Sequence, residues 1–193
     1  MLQIKRSKEE EKLVAACRKG DRKAQHSIYE KYSPLFMAVC KRYVKDEAGS
    51  EDVLISGFTK IFTKINQFKG EGSFEGWMRR IMVNESLSYI RKHKSLYMQV
   101  ELETVERTPN FESLANDLEV EDLMKMIQRL PVGYRTVFNM YAIEGFSHRE
   151  IAEKLEISEN TSKSQLSRAR KHLQQLLLEA EEMMNKALNQ NEG

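Results

Sequence analysis

Apolar residues recur every three or four positions along most of the chain, the spacing that lays a stripe down one face of an α-helix. Leu13, Val14 and Cys17 carry this period up to Gly20-Asp21, which predicts a helix stop and a turn. A second stripe, Ile28, Tyr32, Leu35, Phe36, Val39 and Tyr43, runs from about Ala24 to Val44, and Pro34 inside it predicts a kink or a helix boundary. Val53, Leu54, Phe58, Ile61, Phe62 and Ile65 form a third after Gly49-Ser50, ended by Gly70-Glu71-Gly72. The fourth runs from Ser73 to about His93, with Phe74, Trp77, Met78 and Ile81 expected to face inward and Trp77 assigned to the core. Nothing alternates with period two for long, so no strands are expected.

From about Ser95 to Asn116 the helical period fades and Pro109 interrupts. Glu101, Glu103, Glu106 and Glu112 dominate there, which predicts a charged linker. Leu118 to Leu130 and Val132 to Glu144 read as two further helices, with Pro131 suited to a first helical turn. Ser147, followed three residues later by Glu150, makes a capping box for a short helix, Ile151 to Leu155; after Glu156-Ile157, Ser158 caps a longer one. Leu173, Leu176, Leu177, Ala180, Met184 and Ala187 continue that helix as an amphipathic tail. The expected fold is all-α: two small helical domains, residues 10–94 and 118–178, joined by an acidic linker, 95–117, and followed by the tail, 179–193.

Composition adds two points. A chain of 193 residues, 40% apolar and 31% charged, is long enough for one medium domain or two small ones with buried cores. Its 31 Lys+Arg and 29 Asp+Glu give only +2, but the sum hides an order. Residues 1–100 carry 20 basic and 12 acidic side chains, 101–127 carry 2 and 8, 128–178 carry 8 and 5, and 179–193 carry 1 and 4. The two helical domains are basic and the segments after each are acidic. No run approaches the length of a membrane span and Met1-Leu2-Gln3-Ile4-Lys5-Arg6 opens no signal-peptide apolar region, so a cytoplasmic protein without membrane insertion is expected. Cys17 and Cys40 lie on apolar faces without CxxC spacing or a nearby His, which favours buried thiols over a metal or redox pair.

Two patterns carry candidate chemistry. The first is FSHREIAEKLEISENTSKSQLSRARKHL, residues 146–173, whose capped short helix, turn and capped longer helix have the organisation of a helix-turn-helix. Leu166, Ala169 and Leu173 make its packed stripe, while Asn160, Thr161, Ser164, Ser167, Arg168 and Lys171 occupy the far side, flanked by Lys163 and Arg170. Arg can donate two bonds to guanine, Ser and Thr can meet several bases, and the cationic flanks can bind phosphate. The plainer alternative is the solvated face of a helical hairpin. The second pattern lies in NQFKGEGSFEGWMRRIMVNESLSYIRKHK, residues 66–94, where Arg80, Asn84, Ser88 and Arg91 fall within a band about 80° wide, bordered by Arg79, Lys92 and Lys94. Such a stripe beside an aromatic-containing loop can hold a nucleic-acid strand and accept unstacked bases. A merely solvated basic face explains it equally well.

The residues also carry a resemblance. VAACRKGDRKAQHSIYEKY, EDVLISGFTKIF and FKGEGSFEGWMRRIMVN, then an acidic linker and LPVGYRTVFNMYAIEGFSHREIAEKLEISENTSKSQLSRARKHL, resemble in content and order a bacterial RNA polymerase sigma factor of the extracytoplasmic-function (group IV) class of the sigma-70 family, over about residues 10–178. The resemblance implies that residues 10–94 are a sigma-2 helical bundle and 118–178 a sigma-4 helix-turn-helix domain. It implies that Glu51, Asp52, Phe58 and Lys60 belong to the surface that docks on the β′ clamp of core RNA polymerase. Lys69 to Ser73 would capture a flipped base of the minus-10 element, and Arg79, Arg80, Asn84, Ser88 and Arg91 would line the melted strand. Sigma-4 would dock on the β flap and read the minus-35 duplex through Asn160, Thr161, Lys163, Ser164, Ser167, Arg168 and Lys171. The linker would thread toward the active-site and RNA-exit region, and an anti-sigma factor is a further candidate partner. The chain departs from the usual pattern at Ile55 and Ser56, where Gln and an acidic residue are common, at Ser162, where an apolar residue is common, and at Gln165, where Arg is common. An acidic residue usual near Ser88 is also missing.

Three functions follow for comparison. A promoter-specificity subunit binds polymerase and recognises and helps melt a promoter without catalysis of its own. A free-standing helix-turn-helix regulator would carry an N-terminal sensor or dimerisation domain; a sensor would need a pocket or a phospho-acceptor arrangement on a parallel sheet, and the first hundred residues show no βα alternation. An enzyme acting on nucleic acid would need clustered carboxylates or His, whereas His26, His93, His148 and His172 are scattered. The glycines of residues 70–76 follow no predicted strand and lack a P-loop Lys. The expectation is therefore a sigma factor with promoter DNA and core polymerase as partners, with no catalytic residues, no metal and no cofactor.

Overall fold

The computed structural model describes residues 8–93 and 120–191, which fall in two compact units, Met1–Lys94 and Ser95–Gly193. The expected linker 95–117 lies outside the described residues, as does the expected helix start at Leu118. Among the described residues both units are helical, with no strand.

The first unit comprises α1 (Lys8–Arg18), α2 (Arg22–Tyr43), α3 (Glu47–Thr63), a 3-10 turn (Ile65–Gln67) and α4 (Phe74–Lys92). Side chains fix where three of these helices begin. Asp21 accepts from the Lys23 and Ala24 amides, Asp46 from Gly49 and Ser73 from Gly76, each supplying a first-turn N–H with the partner the helix cannot offer it. Gly20, at φ +79°, makes the left-handed reversal that separates α1 from α2. The boundary considered at Pro34 does not occur: α2 runs through it as one helix. Ile28, Tyr32, Phe36, Val39, Cys40 and Tyr43 are buried on both sides of the proline, and this burial outweighs the backbone bond it removes. Leu35, 37% exposed, falls outside the expected stripe.

Helices α2, α3 and α4 pack on one another around an aromatic centre. The Phe58 ring lies 6.0 Å from Phe36, 4.8 Å from Tyr29 and 5.9 Å from Phe62. At 3% exposure Phe58 is a core residue, which corrects its expected place on a polymerase-docking surface. Where α3 meets α4 the contact is close, since a Cβ on Gly57 would overlap the Met82 thioether and one on Gly49 would overlap the Tyr89 hydroxyl. Tyr32 donates to Glu10 Oε2 at 2.9 Å and so ties α1 to α2, while burial and that carboxylate push its phenol pKa up. Cys17 and Cys40 are buried free thiols, as expected. Burial, with Asp21 nearby, pushes Cys17 up to about 11, and burial pushes Cys40 up to about 12.

The second unit comprises α5 (Val120–Arg129), α6 (Val132–Phe138) running on as a π-helical turn (Asn139–Ile143), α7 (His148–Leu155) and α8 (Glu159–Asn191). Pro131 is the N-cap of α6 rather than part of its first turn. The capping box of Ser147 and Glu150 is formed. Glu156, left-handed at φ 57°, ends α7, and Ser158 Oγ accepts the Thr161 amide at 3.0 Å to start α8. Arg135 is fully buried and donates to the Gln128 carbonyl at 3.1 Å, placing a cation at the carbonyl end of α5, where the helix dipole favours it. Nothing in its spacing singled it out as a structural residue.

Phe58→Ala is expected to destabilise the first unit by about 3–5 kcal/mol, the cost of emptying a packed aromatic site. Ile55→Ala, at a position 60% exposed, should leave it within about 0.5 kcal/mol of the parent. Urea unfolding followed by the fluorescence of Trp77, the single tryptophan, checks both, because that ring lies in this unit.

Candidate nucleic-acid interfaces

Helix α4 divides cleanly by circumference. Phe74, Met78, Met82, Val83, Ser86 and Leu87 are buried against α2 and α3, and Arg80, Asn84 and Arg91 are exposed on the other side, as the expected stripe requires. Ser88 is half-buried and its hydroxyl accepts from Arg91 at 3.3 Å. Arg79 is half-buried beside Glu75, 3.1 Å away, so part of its charge is answered within the helix.

The loop before α4 is an arch held at both ends. Phe68 and Phe74 are buried with ring centroids 5.1 Å apart, and Trp77 lies 5.4 Å from the first and 5.8 Å from the second, nearly parallel to it. Trp77 is half-buried rather than enclosed. Arg18 of α1 donates to the Phe68 carbonyl at the near end. Between these anchors Gly70 and Gly72 both take φ +82°, a backbone that glycine adopts freely, and Lys69 is exposed. Ser73 is engaged as the cap of α4, its Oγ accepting the Gly76 amide at 3.0 Å. Phe68 and Arg18 were missed in the sequence; two phenylalanines bracketing a glycine-rich segment was the available signal.

In the second unit Leu166, Ala169 and Leu173 are buried as expected, leaving Asn160, Lys163, Ser164, Ser167, Arg168 and Arg170 exposed on α8. Thr161 and Lys171 are half-buried. Thr161 Oγ1 lies 2.8 Å from Ser158 Oγ within the cap, and Ser164 donates to the Thr161 carbonyl at 3.0 Å. Ser162, where an apolar residue is usual, is fully buried, with His148 Nδ1 2.9 Å from its hydroxyl.

The residues expected to meet polymerase do not form one surface. Glu51 and Asp52 are exposed on α3, Phe58 is in the core, and Lys60 is 2.6 Å from Glu85 of α4 in an ion pair. The exposed apolar residue of that helix is Ile55, beside a concavity of about 310 Å³ between α3 and α4 lined by Asp52, Ser56, Glu85 and Tyr89 among others. Among the described residues no group of three or more His, Cys, Asp or Glu is placed to hold a metal ion. No helix among them is long and apolar enough to cross a membrane.

Known proteins share this arrangement. The family model of Sigma-70 region 2 matches residues 28–96 and that of Sigma-70 region 4 matches residues 121–173. The chain is 27% identical over 189 residues to the RNA polymerase sigma-H factor of Pseudomonas aeruginosa, covering 89% of this chain and 97% of that protein. It is 28% identical over 178 residues to the ECF RNA polymerase sigma factor SigW of Bacillus subtilis, covering 86% and 95%. Its fold is similar to that of the sigma factor RpoE of Bartonella quintana, solved with the anti-sigma factor NepR, at a TM-score of 0.50 and 24% identity over 80% of this chain and 96% of that one. Since the two region models fall in chain order on the two units, and the relatives align with nearly the whole length, the chain belongs to the sigma-70 family, as an RNA polymerase sigma factor of the extracytoplasmic-function class.

Proposed function

We propose that this sigma factor acts in the cytoplasm as a non-catalytic promoter-specificity subunit in which α4 and its preceding arch take the melted minus-10 strand while α8 reads the minus-35 duplex. The observation that carries this division is that each helix buries one stripe and turns a cationic, hydrogen-bonding stripe outward. On α4, Arg80 and Arg91 neutralise phosphates and Asn84 offers an amide to a base edge. The arch of Lys69 to Ser73 lies beside the half-buried Trp77, a ring against which an unstacked base can rest. On α8, Arg168 donates to a guanine edge, with Asn160, Ser164 and Ser167 along the groove and Lys163 and Lys171 on phosphate.

Glu51, Asp52 and Lys60 form the rim of the β′-clamp contact, and Ile55 supplies its exposed apolar point. Sigma-4 docks on the β flap, and the acidic residues 95–117 occupy a channel shaped for RNA. Two small basic surfaces bind DNA weakly when joined only by a tether, so polymerase supplies the affinity by fixing both in place. An anti-sigma factor would act by covering either surface.

The direct test is co-purification with core polymerase followed by run-off transcription; a protein that footprints a promoter as tightly alone as in the holoenzyme contradicts the proposal. Arg168→Ala is expected to cost about 1–3 kcal/mol in promoter affinity and to relax preference at one minus-35 position. An equal loss on every sequence would make it a phosphate contact. Arg80→Ala and Asn84→Ala should slow open-complex formation on duplex promoters more than on pre-melted ones. Ser73→Ala should lower stability by about 1 kcal/mol through loss of the cap. Ser73→Asp keeps the cap but sets a negative charge beside the strand, so unchanged stability of the protein to urea together with weakened minus-10 binding is the expected pair of results.

A further inference from the structure

Three elements of the second unit meet at one imidazole. His148, the first residue of α7, has Nδ1 2.9 Å from the Ser162 hydroxyl of α8. Its ring stacks on Tyr141 of the π-helical turn, centroids 4.5 Å apart and planes within 22°. The Arg170 guanidinium of α8 sits 5.9 Å from the Tyr141 ring centroid, within cation–π range. Ser162 is fully buried, and a hydroxyl taken out of water is destabilising unless a partner reaches it. It is followed in sequence by the exposed Lys163, so whatever fixes Ser162 also fixes the height and rotation at which that lysine faces outward.

We propose that His148 is the positioning residue of the duplex-reading helix: it fastens α7 to the buried Ser162 and holds Tyr141 beneath Arg170, setting the register in which Lys163 and Arg170 meet DNA. The inference rests on the reading of α8 as the minus-35 helix. The charges around the ring suit this role. Burial and the cations Lys163 and Arg170 push the His148 pKa below its ordinary value, Glu159 opposing them, which favours a neutral ring that shares a hydrogen bond over a third cation. Tyr141, 36% exposed, would otherwise be a surface aromatic without a function; stacked on His148 it becomes a rest for the arginine that flanks the reading face.

The test uses holoenzyme reconstituted from core polymerase and the full chain, assayed on two templates: a duplex promoter with both elements, and a pre-melted template carrying the minus-10 element alone. His148→Leu is expected to lower initiation about tenfold on the first, to flatten discrimination among minus-35 variants, and to leave the second unchanged. His148→Asn, which returns a polar atom near the place of Nδ1 but not the stacking ring, should recover part of the loss. The pair His148→Leu with Ser162→Val removes the buried hydroxyl together with its partner, so it should melt like the parent while keeping the minus-35 defect. Equal activity of His148→Leu and parent, equal defects on both templates, or disappearance of the defect in the double variant would each overturn the proposal. If the parent holoenzyme itself initiates no better with the minus-35 element than without it, the reading of α8 fails instead, before His148 is at issue.

Discussion

The approach of α3 to α4 at Gly57 governs the first unit. With no side chain there, the Met82 thioether comes against the α3 backbone, and α4 is held with one rotation about its axis. Everything the helix offers outward follows from that rotation, because a helix has one circumference to divide and each residue turns it by about 100°. Met78, Met82 and Ser86 on the seated side leave Arg80, Asn84 and Arg91 on the other. A bulkier residue at Gly57 would force a choice between repacking Met82 and turning the basic stripe away from its ligand.

The same division governs α8, with different partners. Leu166, Ala169 and Leu173 hold it from inside, but the side chains that fix its outward face are polar: the Ser158 cap at its start and the buried Ser162, bonded to His148 of α7. The two units thus solve a shared problem by different means, apolar closeness in one and hydrogen bonding in the other. The arch ahead of α4 combines them. Its aromatic anchors are buried, its glycines take the turns, and the Arg18 bond to the Phe68 carbonyl brings the first helix into the support of a loop fifty residues later.

Local signals were legible in the sequence because their causes are local. Ser73, Ser147 with Glu150, and Ser158 announced helix starts that the structure keeps, and Gly20 announced a reversal. The exposed Arg80, Asn84 and Arg91 of α4 and the buried stripe of α8 also emerged from spacing, whereas of the four residues expected inside on α4 only Phe74 and Met78 are buried, and Trp77 and Ile81 are half-buried. Phe58 lies on the apolar stripe that spacing lays along α3 and is buried as that period requires, against Tyr29 and Phe36 of α2; only the resemblance set it on the docking surface. What escaped depends on partners distant in the chain. Pro34 obeys its local rule as a poor helix residue and is overruled by burial on both sides. The links from Arg135 to Gln128 and from His148 to Ser162 join side chains that no periodicity relates.

The π-helical turn at Asn139–Ile143 was equally invisible, and it makes chain length a determinant of aim. A π turn accommodates one residue more than an α turn would. Removing Ala142 there would let the helix close into regular α geometry, with every side chain of the reading face and the Tyr141 ring retained. The cost would be angular: the chain beyond would leave α6 about 100° off its present direction, carrying α7 and α8 with it. In a lineage of such proteins this segment should therefore tolerate exchange of residues far more readily than a change in their number.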